Sequence, residues 1–385
     1  MALTKTPLHQ YHLDMGADMM EYAGYDMPKA YKPAGGGPGS PKAEHLQVRN
    51  SGGIFDVSHM GRLQFKGMHV LRFLEKVCTR KIRDMKTGQC RYSLVCNERG
   101  GVKDDVIVMR QDEDSFMMVV NAGNRHKIVE HFKAVQAAGS LKMTMEDITE
   151  KTAMVAVQGP RVIEFIGKFS REIPTLKRYT FTVKNLLIAK LTVARTGYTG
   201  EDGVEVILPA GMTGMAMKMI MKDIDTKSPT AEIKPAGLVA RDTLRIEAGM
   251  PLYGHELGEE INALSCGVDF AIALEKDKTD HADTFIGMEA LKKTQAEGGP
   301  ATKLIGMKID SPRQIRQGMA ILHDGKPTGN VTSGCLSPTL GYNIAMGFIA
   351  KANTAEGTAL QIDLGEGKGV ASATIVKLPF YKKPS

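Results

Sequence analysis

Four stretches of this chain place polar side chains where turns meet apolar runs, so that a side chain can reach a ligand while its backbone stays held. In residues 100–108 (GGVKDDVIV) two adjacent carboxylates, Asp104 and Asp105, begin an apolar strand, and alternation turns one inward and the other outward. A buried carboxylate is costly unless a donor or a ligand pairs with it. Facing a ligand amine, Asp104 would accept its hydrogen bond and stabilise a developing cation. In a solvated turn it would have no role, and the sequence weighs the two readings evenly. In residues 195–206 (RTGYTGEDGVEV) three glycines within seven positions let the backbone approach a ligand. Tyr198 there offers a stacking face and a hydroxyl, and Glu205 offers two oxygens suited to parallel hydrogen bonds from an aminopyrimidine edge. A plain hairpin explains the glycines but not the whole polar set.

The other two stretches carry blander alternatives. In residues 237–249 (GLVARDTLRIEAG), Arg241, Arg245 and Glu247 lie on an amphipathic helix, where intrahelical ion pairing is the default. An inward Arg would instead suit a carboxylate or a ring carbonyl. In residues 55–60 (FDVSHM), Asp56 and Ser58 can simply satisfy backbone donors in a tight connection.

The elements that must hold these groups follow from periodicity. Residues 8–20 read as a short helix leading into the strand-turn AGYDMP, and residues 32–42 (KPAGGGPGSPK) as an exposed loop. RLQFKG reads as a strand, and HVLRFLEKVCT has Val70, Leu71, Leu74 and Val77 at helical spacing. RYSLVCN and DVIVMR flank ERGG as a hairpin, and SFMMVVNA runs into the helix HKIVEHFKAVQAA. A strand–Gly–helix unit recurs at residues 152–169, with Pro160 expected in the first helical turn. Two strands and VEVILP follow, then a Met-rich helix (Met215, Met217, Met219, Met221) read as core filler. Residues 294–302 read as a linker, and the close-spaced strands beyond it as a small all-β barrel or sandwich.

Composition narrows the classes. The 385 residues allow two or three domains, at roughly 100–200 residues each. With 42% hydrophobic and 24% charged residues, and no apolar run near the roughly 20 residues of a membrane helix, a soluble chain is expected. The net charge of +7 favours anionic partners such as a polyglutamylated cofactor, an acidic carrier protein or nucleic acid. Its even spread, with no basic tract, favours a plain solvated surface instead. Five cysteines without a CxxC pair point to a reducing compartment and away from a zinc or iron–sulfur site. No P-loop, dinucleotide fingerprint in the right context, HExxH or GxSxG motif is present. The N-terminus has neither a signal core nor the look of an organelle presequence.

Taken together and in order, FDVSHM, GGVKDDVIV, VVNAG, VAVQGP, GYTGEDGVEV, GLVARDTLRIEAGMPLYGHE and TSGCLSPTLGYNIAMGFI resemble the glycine cleavage T-protein family over essentially the whole chain. The resemblance implies an α+β, three-domain folate-binding aminomethyltransferase fold with a C-terminal β-barrel. Residues 1–293 would form the folate-binding region from two interleaved α+β subdomains, and residues 303–381 the barrel. It implies transfer of a one-carbon unit from the aminomethyl-lipoyl arm of H-protein to tetrahydrofolate, giving methylenetetrahydrofolate and ammonia without a metal. P-protein and L-protein would belong to the same system. Asp104 matches the family aspartate near folate N10, where it would orient the folate and stabilise an iminium-like cation. Tyr198 and Glu205 match folate contacts, Glu205 at the pterin edge, and Met60, Asn121, Arg241 and Arg316 match positions lining the same pocket. Phe270 stands where mammalian members have a Trp near the folate, and Tyr25 replaces a Trp after Gly24. A tyrosine that some members use near the C-terminus has no clear match, Tyr381 being the nearest. The resemblance implies the mitochondrial matrix if the source is eukaryotic, and the cytoplasm if it is bacterial.

The nearest rivals are a non-enzymatic or regulatory folate-binding protein of the same fold and the folate domain of a dimethylglycine or sarcosine dehydrogenase. The first would carry a cysteine motif that GYTGEDG lacks, and the second a flavin domain for which there is no room. An RNA-binding module would need aromatics interleaved with Arg, and 6% aromatic content gives little support.

Overall fold

The computed structural model describes residues 2–33, 37–186, 189–221, 231–365 and 367–383. Among these, the strands form four sheets. A three-stranded sheet places Tyr25–Tyr31 between Thr4–Lys5 and Ala17–Tyr22. A six-stranded sheet runs in the order Phe181–Leu186, Ala189–Ala194, Gly203–Pro209, Thr152–Gln158, Gly53–Asp56, Lys234–Pro235. A five-stranded sheet has the order Cys90–Cys96, Val102–Arg110, Ser115–Val120, Gly61–Lys66, Thr144–Asp147. Six strands from Thr302–Asp310 to Val370–Val376 close into a barrel, resolving the barrel-or-sandwich choice.

The two large sheets interleave. Gly53–Asp56 pairs antiparallel with Thr152–Gln158, and the whole five-stranded sheet is inserted between those neighbours. One face of the inserted sheet packs on the helices Val70–Val77 and Arg125–Ala138, where Phe65, Phe73 and Phe132 meet. Helix Val70–Val77 buries Val70, Phe73, Leu74 and Val77, the i, i+3, i+4, i+7 stripe of an amphipathic helix. The opposite face, with Met109, Met117 and Val119, packs on Phe55, Met154, Ala156 and Ile207 of the six-stranded sheet. Both faces of the inserted sheet are therefore apolar.

Local expectations fail where a single residue decides the path. The first helix spans only His9–Asp14, because Gly16 takes a left-handed φ of 72° and the chain turns into strand Ala17–Tyr22. The 32–42 loop ends at Ser40, whose hydroxyl accepts from the Ala43 N–H and caps a helix beginning at Pro41. Residues 34–36 of that loop lie outside the described residues. Helix Val162–Gly167 starts after Pro160, which sits in the preceding turn. Helix Met288–Ala296 takes up the start of the expected 294–302 linker. The Met-rich helix is Thr213–Met221; the side chains of Met219 and Met221 lie outside the described residues.

The barrel, the sheets and the segment near the C-terminus meet at two buried carboxylates. Glu247, at the end of helix Leu238–Glu247, accepts from Arg49 Nε (3.0 Å), the Thr339 N–H (3.0 Å), the Thr339 hydroxyl (2.8 Å) and the Ser337 hydroxyl, with His45 Nε2 at 3.0 Å. Arg49 also bonds Glu201 at 2.9 Å and lies over the Tyr381 ring. Glu256 accepts from Arg245 at 2.9 Å and from the Thr332 hydroxyl, and Arg245 reaches Ser333 at 2.7 Å. The default intrahelical pairing of Arg241, Arg245 and Glu247 is thus corrected: Arg245 does bond Asp242, but Arg245 and Glu247 chiefly reach across to other elements.

Replacing Glu247 by Ala leaves Arg49 with Glu201 as its remaining carboxylate and takes the shared acceptor from His45, Ser337 and Thr339 in a dry interior; it is expected to cost about 3–5 kcal/mol, read from urea midpoints. Burial alone would raise the Glu247 pKa, but the hydrogen bonds from His45 and Ser337 and the charge of Arg49 hold it down to about 2, against 4.5 ordinarily. Its contribution is therefore full above the ordinary value and fades as pH falls toward about 2. Acid-limb titrations of stability should show this loss in the native protein, and a smaller one in Glu247→Gln.

Candidate active site

Strand Val102–Arg110 decides the geometry. Asp104, Val106 and Val108 share one face, toward the helices, while Asp105, Ile107 and Met109 share the other, toward the six-stranded sheet; a bulge before Asp104 puts Val102 outside this alternation. Asp104 is 0% exposed and fully occupied: it accepts the Asn121 N–H (3.0 Å), Asn121 Nδ2 (2.8 Å) and Asn124 Nδ2 (2.7 Å). Asp104, the candidate named from the sequence, thus faces the helices, with its oxygens engaged by Asn121 and Asn124. Asp105 is the carboxylate on the inter-sheet face, accepting from the Tyr92 hydroxyl at 3.1 Å and Asn121 Nδ2 at 2.6 Å. Burial raises the pKa of both carboxylates, and repulsion from Asp105 adds to the shift of Asp104.

From Asp105 a run of polar and aromatic groups crosses the inter-sheet space. The Tyr92 ring packs on Phe270 with centroids 5.9 Å apart, and Phe270 is 62% exposed, so this side is open. Tyr198, within electrostatic reach of Asp105, donates its hydroxyl to the Pro251 carbonyl, and burial pushes its phenol pKa up. The Arg241 guanidinium lies 5.2 Å from the Tyr198 ring centroid and 5.9 Å from that of Phe55. Burial lowers its pKa, the Glu205 charge acts against that, and its Nη1 is buried with no partner among the described residues. Glu205 uses one oxygen to accept from the Thr196 hydroxyl at 2.6 Å. Thr196 also lines an open cleft of about 400 Å³ with Tyr179, Arg195 and Met250.

The turn that presents Tyr198 needs its glycines. A Cβ at Gly203 would lie 2.2 Å from the Val157 carbonyl oxygen, and one at Gly197 only 1.8 Å from Gln158 Oε1. Met60 packs at the edge of the same inter-sheet core. Arg316 is apart: it is exposed on the barrel loop after Thr302–Asp310 and meets none of these groups among the described contacts, although Gln317 beside it reaches the Gly254 carbonyl. Asp56 holds structural partners, accepting from Thr6, His12 and the Ser58 N–H, which is the bland alternative for FDVSHM. The sequence reading gave its role to Asp104 rather than Asp105 and did not single out Tyr92.

Residues 8–276 match the family model of the GCVT N-terminal domain, and residues 302–382 that of the glycine cleavage T-protein C-terminal barrel domain. Aminomethyltransferases of Rubrobacter xylanophilus and Moorella thermoacetica are each 39% identical across 99% of this chain, which covers 95% and 99% of their lengths. The chain belongs to the glycine cleavage T-protein family. The solved glycine cleavage system aminomethyltransferase T of Bartonella henselae is similar to it with a TM-score of 0.86 at 28% identity, covering 99% of this chain and 98% of that one. As a member of the T-protein family the chain is an aminomethyltransferase of glycine cleavage, a family whose reaction uses tetrahydrofolate. The relatives named here are bacterial, and they lend no support to a mitochondrial setting. No described helix is long and apolar enough to cross a membrane.

In a T-protein, a buried Arg with an unpaired N–H fits a ligand carbonyl, so Arg241→Met is expected to separate binding from folding. The melting temperature should hold or rise, since a desolvated cation is removed. Tetrahydrofolate affinity, measured by calorimetry, should fall by about tenfold or more, one charge-assisted hydrogen bond being lost.

Proposed function

We propose that the space between the two large sheets holds tetrahydrofolate, with Asp105 at its reactive end and Glu205 and Arg241 at its pterin. The observation that carries this is the single run Phe270, Tyr92, Asp105, Tyr198, Arg241, Glu205, which offers ring faces, two carboxylates and one unpaired buried cation. A reduced pterin presents a carbonyl and an aminopyrimidine edge, matching the Arg241 donor and the free oxygen of Glu205. Tyr198 and Met60 would flank the ring system, and Phe270 would cover its exposed end. Arg316, exposed on the barrel loop, would serve the outer tail of the ligand.

When bound, tetrahydrofolate supplies the two nitrogens that take the one-carbon unit, while the S-aminomethyl donor gives up its C–N and C–S bonds and ammonia and free thiol leave. The two N–H protons lost by N5 of the pterin and N10 beside it balance those gained by ammonia and thiol. Asp105, ionised and held by Tyr92 and Asn121, faces the transferring carbon and stabilises positive charge developing there. The apolar walls Phe55, Met60, Met117 and Ile207 limit water, which would otherwise capture the carbon. The donor arm is proposed to come from lipoylated H-protein, with P-protein and L-protein acting elsewhere in the same system. Residues 1–293 are taken as the folate-binding unit and residues 303–381 as the barrel that closes it.

Ammonia release and methylenetetrahydrofolate formation from aminomethylated H-protein test this reading. Asp105→Ala should lower kcat by about 10²–10³-fold, the size of a lost transition-state electrostatic contact. Wild-type turnover in that variant would remove Asp105 from the mechanism. Folate binding without turnover in the native protein would instead leave a binding protein of this fold.

A further inference from the structure

We propose that Asp104 is a positioning residue: buried behind the sheet, it locks the Asn121 carboxamide so that the amide nitrogen grips Asp105 and the amide oxygen is turned to the ligand. This rests on the reading of Asp105 given above.

The backbone brings the three groups together. Strands Val102–Arg110 and Ser115–Val120 pair antiparallel with Ile107 opposite Val119, so two further residues along each strand set Asn121 opposite Asp105. Asn121 follows its strand and precedes helix Arg125–Ala138, where its own N–H is anchored on Asp104 at 3.0 Å. A carboxamide NH₂ has two hydrogens. Here they serve Asp104 Oδ1 at 2.8 Å and Asp105 Oδ1 at 2.6 Å. Flipping the amide would set its oxygen against two carboxylate oxygens, so the orientation is fixed by charge. None of the described residues donates to Asn121 Oδ1. That oxygen and Asp105 together make two adjacent acceptors, suited to a ligand that brings N–H donors, as an aminomethyl group or a reduced pterin does. Asn124 supplies a third donor to Asp104 at 2.7 Å, which helps compensate its burial.

The test uses the direction of change in the acid limb of kcat against pH, where activity falls as Asp105 protonates. The groups facing Asp105 are Asp104 on its own strand, Tyr92 on the neighbouring strand, Asn121, Tyr198 on its turn, and Cys266. Asn121→Ala removes a hydrogen bond to the ionised carboxylate and moves the limb to higher pH; Asp104→Asn, by releasing the carboxamide that grips Asp105, moves it the same way. Each should also lower kcat by about tenfold or more, with folate KM changing less, and the double variant should be no worse than Asn121→Ala alone. Normal kcat in Asn121→Ala overturns the proposal, even if Asp104→Asn fails to fold. Additive losses with unmoved limbs overturn it too, leaving Asp104 merely structural. If Asp105→Ala is itself fully active, the underlying reading fails instead.

Discussion

Glu247 receives hydrogen bonds or charge from Arg49 and His45 on one helix and from Ser337 and Thr339 of the barrel, while its own carbonyl accepts the Tyr381 N–H. Such a carboxylate is stable only with all its partners present, because an ionised group in a dry interior loses several kcal/mol of hydration. The clamp also fixes rotation. Arg241 and Arg245 lie one helical turn apart on the same side of Leu238–Glu247, and Glu247 lies on another. With Glu247 pinned to Arg49 and Arg245 pinned to Glu256, the helix cannot turn about its axis, and Arg241 is left facing Tyr198. An apolar interface could hold the helix as tightly but would not select its rotation so sharply.

The inserted topology does similar work for the carboxylates. Because the five-stranded sheet leaves and rejoins the six-stranded one between adjacent strands, the two sheets meet through residues far apart in sequence, such as Phe55, Met117 and Ile207. Neither sheet alone would surround a ligand. Asp105 is fixed by Tyr92 and Asn121, so in the role proposed for it little reorientation would remain.

Much of this was legible in the sequence, and the failures have definite causes. Strands and helices with a clean period, such as Val102–Arg110 and Val70–Val77, were placed well, as was the strand-rich C-terminal barrel. The choice between Asp104 and Asp105 was not decidable from alternation, because Val106 and Val108 on one face are as apolar as Ile107 and Met109 on the other. A sheet covered on both sides erases the contrast that tells inside from outside. Tyr92 gave no signal beyond an aromatic in a strand. The Arg49–Glu247 pair joins positions 198 apart, and the sequence offered only the nearer reading of an intrahelical pair.

Arg241 shows how the fold keeps its unbound site ready. Its neighbours Tyr198 and Phe55 give it ring faces rather than carboxylates, and Glu205 acts on it through charge without an ion pair. A direct Arg241–Glu205 bridge would satisfy both groups and would have to be broken before either met a ligand. Glu205 is instead half engaged by Thr196, and Arg241 keeps one buried N–H unspent. An unpaired buried donor destabilises the empty protein by roughly 1–3 kcal/mol. On the proposed reading that cost would be recovered when a carbonyl arrives, so the same residue would weaken the empty fold and strengthen the loaded one. The clamps at Glu247 and Glu256 are what allow the fold to carry it.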